Sequence, residues 1–269
     1  MISLAALSVA YAGGRRALDG VDLSIAPGER VALIGPSGAG KTTLLRVMGA
    51  NLRPTGGQLQ LDGLDPWALN ARQLQGLRGR VGKMYQAPPI PPRQRVITAV
   101  LAGRLGQWPL WRAVASLIYP LDIDGARAAL APFDLAERLF DRCDQLSGGQ
   151  LQRVALARLF YQQPQLVLAD EPVSALDPTL ARSVAVALNE DAKRRGATLI
   201  ASLHAVELAL SEFSRVIGLR EGRIVFDRPA AQLGVADIEA LYAGVPYASA
   251  PEAHNPDAPS ARPRLTRCA

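Results

Sequence analysis

The octet Gly35-Pro36-Ser37-Gly38-Ala39-Gly40-Lys41-Thr42 has the spacing G-x-x-x-x-G-K-[ST]. Its chemistry is anion binding. The glycines let the backbone wrap an anion with no Cβ in the way. The amide N–H groups and the N-terminus of a following helix both favour negative charge. In such a loop Lys41 reaches the β- and γ-phosphates, the Thr42 hydroxyl ligates Mg²⁺, and Thr43 sits near the α-phosphate. Further on, Leu166-Val167-Leu168-Ala169-Asp170-Glu171 is an apolar run that ends in two acids. Asp170, emerging at the C-terminal end of a buried strand, is suited to hold Mg²⁺, largely through water. Glu171 is suited to polarise an attacking water as general base. The acids also read as a helix N-cap, since Pro172 follows them, but the glycine loop upstream favours chemistry. Between loop and acids stands Leu146-Ser147-Gly148-Gly149-Gln150. Ser147 suits a helix N-cap, and the glycines allow a backbone to approach a ligand closely. Alone, the stretch reads as a capping turn; between those two neighbours it reads as part of a nucleotide site.

Strands and helices must hold these residues. Strand-like runs occur at Ile2–Val9, Val21–Ile25, Arg30–Ile34, Gln58–Leu61 and Val81–Tyr85, punctuated by Gly13-Gly14, Pro27-Gly28 and Gly56-Gly57. Arg30–Ile34 runs straight into the glycine loop, and Lys41–Met48 has helical periodicity, giving strand, loop, helix in order. Pro88–Pro92 is a proline-rich break. After it, Val96–Leu139 reads mostly as helix, an insert in an α/β domain. A helix follows over Gln150–Phe160, and strand-like runs return at Leu166–Ala169, Thr198–Ser202 and Val216–Leu219. Strands alternating with helices imply a parallel sheet covered on both faces.

Bulk properties narrow the class. The 269 residues are 49% hydrophobic, enough for a sizeable core. The net charge is +6, with arginine far commoner than lysine. These arginines are scattered rather than gathered into a stripe, so a solvated surface is expected and not a nucleic-acid footprint. Cys143 and Cys268 have neither disulfide-framework nor zinc spacing. No run of about 18 apolar residues suggests a membrane-spanning helix. The nearest candidate, Trp111–Leu121, is broken by Arg112 and Pro120. The strand-like start, Ile2–Val9, argues against a secretory signal. From about Gly244 the chain reads as a disordered tail, and His254 within it has no evident partner.

Taken together, these motifs resemble the ATP-binding subunits of ABC transporters over roughly residues 2–243. The resemblance implies an α/β fold, a phosphate-loop NTPase of ABC type. It has a mixed central sheet, an N-terminal antiparallel β subdomain, and a helical subdomain at about 88–160. It also gives meaning to residues that say little alone. Tyr11 corresponds to the aromatic that stacks on adenine. Gln86 corresponds to the glutamine that senses Mg²⁺ and the attacking water. Ser174-Ala175-Leu176-Asp177 corresponds to a loop crossing the dimer interface, and His204 to the histidine contacting the γ-phosphate. Leu146–Gln150 is the family signature. In this family two cassettes clamp two ATP molecules head to tail, so Ser147, Gly148, Gly149 and Gln150 would face the phosphates held by a second copy. The expected site therefore has Glu171, His204 and Gln86 as catalytic residues and Thr42, Gln86 and Asp170 around Mg²⁺. ATP is bound by Tyr11, the residues from Gly35 to Thr43, Ser147–Gln150 and Asp177.

A finer likeness is to the phosphonate-import subgroup, which includes relatives associated with phosphite. It is carried by Val100–Gly106 with Trp111-Arg112, by Gln145, by Leu168–Pro172 and by Gly218–Phe226. It implies a homodimer acting on membrane permease subunits at the cytoplasmic face of the inner membrane, with a separate substrate-binding protein. The rigid Pro88–Pro92 run and the segment beyond Gly244 depart from the family pattern. DNA-repair or chromosome ATPases share these motifs but separate the halves of the site with long coiled coils or zinc modules. Here the gap from Lys41 to Ser147 has neither heptads nor C-x-x-C pairs. A translation factor of the superfamily would carry two cassettes, and one phosphate loop is present. An exporter subunit stays open within the transporter class.

Overall fold

Glycine and proline turns divide the chain into short strands and helices, and a computed structural model describes residues 1–85, 87–174 and 176–243. Gln86, Ala175 and the expected tail, with His254 and Cys268, lie outside the described residues. The N-terminal strands β1 (Ile2–Ala10), β2 (Arg16–Ile25) and β4 (Gly56–Leu61) form an antiparallel sheet in the order β2-β1-β4. The second of these begins earlier than the Val21 expected from its apolar run. The pairing of Ala10 with Arg16 carries the ladder back to the Tyr11–Arg15 turn.

The central sheet holds β3 (Arg30–Ile34), β5 (Val81–Met84), β6 (Leu166–Asp170), β7 (Thr198–Ser202), β8 (Arg215–Arg220) and β9 (Arg223–Pro229). Their order is β5-β6-β7-β3-β8-β9. All neighbours are parallel except β8 and β9, which pair antiparallel and make the sheet mixed. The order places β3 where the connections diverge, with β7 on one side and β8 on the other. In open α/β sheets the crevice beyond the carboxyl ends of the strands at such a point is the ligand site.

Burial explains why these strands read as continuous apolar runs. Alternate side chains point to opposite faces. From β3, Ala32 and Ile34 join one core while Val31 and Leu33 join the other. In β6, Val167 and Ala169 oppose Leu168, and in β7, Leu199 and Ala201 oppose Ile200. One core packs the sheet on α6 (Gly148–Gln162) and α7 (Pro178–Arg195). The other packs it on α1 (Lys41–Met48) and on the antiparallel sheet.

The stretch expected to be mostly helical breaks into α3 (Val96–Leu101), α4 (Leu110–Ile118) and α5 (Ile123–Leu130), with short 3-10 turns between and after. Pro109 stands at the N-cap of α4, and Pro120 follows its end. Each proline lacks the N–H that a continuing helix needs. Buried Cys143 lies in a 3-10 turn before α6. Burial and the nearby Asp144 push its thiol up to about 11, so it packs as a small neutral side chain. The remaining helices are α2 (Ala71–Gly79), α8 (Val206–Glu212) and α9 (Val235–Tyr242).

Candidate active site

The loop that leaves β3 can be made only from glycine at its ends. Gly35 has φ +147, and a Cβ there would stand 2.0 Å from the Leu219 carbonyl oxygen. Gly40, the N-cap of α1, has φ +107, and its Cβ would stand 2.4 Å from the Ala17 oxygen. Lys41 opens α1 and is 5% exposed. Its Nζ donates to the carbonyl oxygens of Gly35 (2.7 Å) and Pro36 (3.1 Å). The ammonium is thus drawn back over the loop it belongs to. Burial pushes its pKa down, against the opposing pull of Glu171 and Asp170.

The acids come to the loop through strand register. Asp170 ends β6 directly beside Ser202, which ends β7. Asp170 Oδ1 accepts from Thr42 Oγ1 (3.1 Å) and from Ser202 Oγ (2.9 Å). Ser202 is fully buried, and its Oγ in turn accepts from the Glu171 amide at 2.9 Å. Glu171 then turns into the left-handed region, with φ +49, an uncommon conformation for a residue with a Cβ. Its Oε1 meets His204 Nε2 at 2.5 Å. No helix begins at Pro172; the next starts at Pro178. The helix-cap alternative for Asp170 and Glu171 is therefore not what the chain does.

In the sequence Ser202 reads as no more than the end of a strand. A lone hydroxyl closing the apolar run Leu199-Ile200-Ala201 was the available signal, since a buried polar side chain needs partners.

The cleft over the loop has a volume of about 260 Å³, and Tyr11, Arg15, Lys41, Thr42, Thr43 and Glu171 are among its lining residues. Tyr11 is 40% exposed at its rim, and its hydroxyl lies 3.1 Å from Thr43 Oγ1. The ring is thus open for stacking while its hydroxyl is tethered to α1. Ser147 through Gln150 do not line this cleft. Ser147 caps α6 in a reciprocal box: its Oγ accepts from the Gln150 amide (3.3 Å), and Gln150 Oε1 accepts from the Ser147 amide (2.9 Å). The helix takes in Gly148 and Gly149 and so begins earlier than the Gln150 expected. A Cβ on Gly148 would meet open space. Asp177 caps α7, accepting from the amides of Thr179 (3.1 Å) and Leu180 (3.0 Å), and is likewise absent from the cleft lining. Gln86, expected at the metal and the attacking water, lies outside the described residues.

The donors suit Mg²⁺. Thr42 and Asp170 offer hard oxygens side by side at the lip of a phosphate loop. Among the described residues no group of three or more His, Cys, Asp and Glu could hold a metal. A cation held here would complete its shell from phosphate oxygens and water, which is how Mg²⁺ is commonly bound.

A second concavity of about 370 Å³ lies between β5 and α6. Lys83, Arg78 and Arg158 line it beside Pro88, Pro89 and Ile90, and no acid does among the described residues. Burial, with Arg78 nearby, brings the Lys83 ammonium down to about 8.

A glycine loop at the divergence point of a parallel sheet, with an acid and a hydroxyl meeting beside it, defines a nucleoside-triphosphate-binding cassette. The ABC transporter family profile matches residues 18–174. The phosphonates import ATP-binding protein PhnC 2 of Pseudomonas aeruginosa (strain UCBPP-PA14) is 60% identical over 242 residues, covering 90% of this chain and 91% of that protein. PhnC 1 of Cupriavidus necator is 57% identical over 240 residues, covering 89% and 86%. Among solved structures, the dimeric structure of MJ0796, a bacterial ABC transporter cassette, superposes with a TM-score of 0.74 at 28% identity. It covers 86% of this chain and 99% of its own. A post-hydrolysis dimer of the same cassette, bound to ADP and Pi, gives 0.71 at 26% identity, with the same coverage. The chain belongs to the ABC transporter family, as one of its ATP-binding, ATP-hydrolysing cassettes.

Replacing Ser202 with alanine strips Asp170 of one donor and leaves the Glu171 amide unpaired. ATP turnover should fall by about tenfold or more while ATP affinity changes little, because the loop is untouched; steady-state turnover and calorimetric binding on the same protein decide it, and unchanged turnover would detach Ser202 from the acids.

Lys83 predicts a pH dependence of stability. Below about pH 8 the folded protein carries a charge that the unfolded chain keeps in water, so this lysine costs stability. Between about 8 and its ordinary 10.5 the unfolded chain alone holds the proton, and stability rises with pH. Lys83→Met should therefore raise the melting temperature at pH 7, with the gain shrinking as pH climbs through that window. A gain that is absent or independent of pH would contradict this.

Proposed function

We propose that this chain energises an importer of phosphonates or related phosphorus compounds, as a homodimer that closes on ATP and acts on a membrane permease. The observation that carries the reading is the hydrogen-bonded chain Thr42–Asp170–Ser202–Glu171–His204 beside the loop that Lys41 is folded over. The import direction and the phosphorus substrate rest on the likeness to the phosphonates import proteins over nine-tenths of the chain. The ATPase domain is taken as residues 2–243, with a helical subdomain at about 88–160 whose insert near Gln86–Arg112 pushes on the permease.

In this scheme the amides of Gly35–Thr42 and the Lys41 ammonium hold the β- and γ-phosphates. Lys41 trades its two carbonyl partners for phosphate oxygens. Thr42 and Asp170 hold Mg²⁺, which when bound neutralises charge on the phosphate oxygens. Tyr11 stacks on adenine. His204 fixes Oε1 of Glu171 and leaves the second carboxylate oxygen to take the proton of the attacking water. Gln86 is assigned beside that water. Ser147, Gly148, Gly149 and Gln150 supply a helix N-terminus to the γ-phosphate bound by the other copy, and Asp177 lies at the seam. A loop on one face leaves terminal-phosphate charge uncovered, and a second helix N-terminus is suited to cover it. Closure then follows from ATP's greater affinity for the paired state, and hydrolysis releases it.

No helix among the described residues is long and apolar enough to cross a membrane. The likeness to the import ATP-binding proteins supports a place at the cytoplasmic face of the inner membrane, reached through the permease. A separate substrate-binding protein selects the cargo, which never contacts this chain.

Glu171→Gln should lower ATP hydrolysis by at least about a hundredfold while ATP binding survives and ATP-bound dimers accumulate. Parallel turnover and size-exclusion measurements test this, and undiminished hydrolysis would remove Glu171 from the role of base.

A further inference from the structure

Two successive arginines follow the rim tyrosine, and they behave differently. Arg16 is committed to the surface: its Nη1 donates to Asp19 Oδ1 at 2.9 Å, and Arg223 holds the other oxygen of that carboxylate at 2.6 Å. Arg15 is exposed and, among the described residues, has neither ion pair nor side-chain hydrogen bond. Its guanidinium does not wander outward, however. Nη2 lies 3.3 Å from where a Cβ on Gly38 would stand, directly over the middle of the phosphate loop.

The backbone aims it there. The Tyr11 amide donates to the Arg15 carbonyl oxygen (3.0 Å), and the Gly14 amide donates to the Tyr11 oxygen (3.1 Å). Gly13 and Gly14 both take positive φ, at +91 and +80, which lets the turn close. The turn thus presents Tyr11 and Arg15 to one cleft. Among the described residues lining that cleft, the other cation is Lys41, buried under the loop, and the acid is Glu171, held by His204.

An unpaired guanidinium above a phosphate cradle matches the geometry of phosphate oxygens, which a planar fork can bind two at a time. We propose that Arg15 is a second phosphate-binding cation of this site, gripping the nucleotide's phosphate chain from the solvent side while Lys41 holds it from below. The inference rests on the nucleotide occupying the Gly35–Thr42 loop.

Calorimetric titration of the full-length protein with ATP and with inorganic tripolyphosphate tests the assignment. Arg15→Gln should weaken both by about tenfold, the scale of one charge-assisted contact. Arg16→Gln should leave both unchanged. Tripolyphosphate affinity unaffected by Arg15→Gln would overturn the proposal, as would an equal loss in Arg16→Gln, which would mean surface charge alone. Lys41→Ala, run alongside, separates this from the underlying reading. If that variant binds both ligands like the parent protein, the loop is not the phosphate site. If it fails and Arg15→Gln does not, only the role of Arg15 falls. Arg15 lies in an exposed turn, so an unchanged melting temperature for Arg15→Gln is expected and keeps the affinities interpretable.

Discussion

One carboxylate oxygen holds the site together. Asp170 Oδ1 receives hydrogen bonds from Thr42 at the start of α1 and from Ser202 at the end of β7, while belonging itself to the end of β6. Three elements that come from distant parts of the sequence are thereby fixed at one sheet edge. The parallel register that sets Asp170 beside Ser202 allows this. A slip of one residue would turn Asp170 to the opposite face of the sheet. Glu171, one residue later, owes its own direction to the same knot, because its amide bonds Ser202 and its backbone leaves the strand in a left-handed turn.

That knot also explains why the site is open on one side. The phosphate loop, the metal-suited pair and the acid with its histidine all belong to the carboxyl edge of the central sheet. Ser147 belongs to the N-terminus of α6 and does not line the same cleft. A Cβ on Gly148 would meet open space. The proposed pairing of two copies would give this exposed helix start a phosphate to face. The dimeric structures of a cassette with the same fold are consistent with such pairing.

Much of the architecture was legible in the sequence because the central strands are buried on both faces and therefore carry unbroken apolar runs. The glycine loop was legible because no other residue type fits its ends. The mixed sheet, with its antiparallel last strand, also follows from the resemblance to ABC cassettes. Other features depend on contacts that no local pattern announces. The early start of β2 at Arg16 follows from pairing with Ala10 across a turn. Inclusion of Gly148 and Gly149 in α6 follows from the reciprocal Ser147–Gln150 cap, which offsets the poor helix propensity of glycine. The subdivision of the Val96–Leu139 stretch follows from Pro109 and Pro120, visible in the sequence but outweighed there by the periodicity. Ser202 and Arg15 carry little local sequence signal of a role for a shared reason: each matters through a neighbour distant in sequence, the acids in one case and the Gly38 segment of the loop in the other.

The central claim is that one chain owns half a working site. It is tested most directly by mixing two damaged proteins, one carrying Lys41→Ala in the loop and the other Ser147→Arg at the start of α6. Each should be inactive alone, since every site in its dimers lacks an essential half. Mixed dimers contain one site with both halves intact, so combining the two should restore ATP hydrolysis. Mixtures that stay silent at every ratio, or a Ser147→Arg protein that hydrolyses ATP at the full rate by itself, would contradict the account.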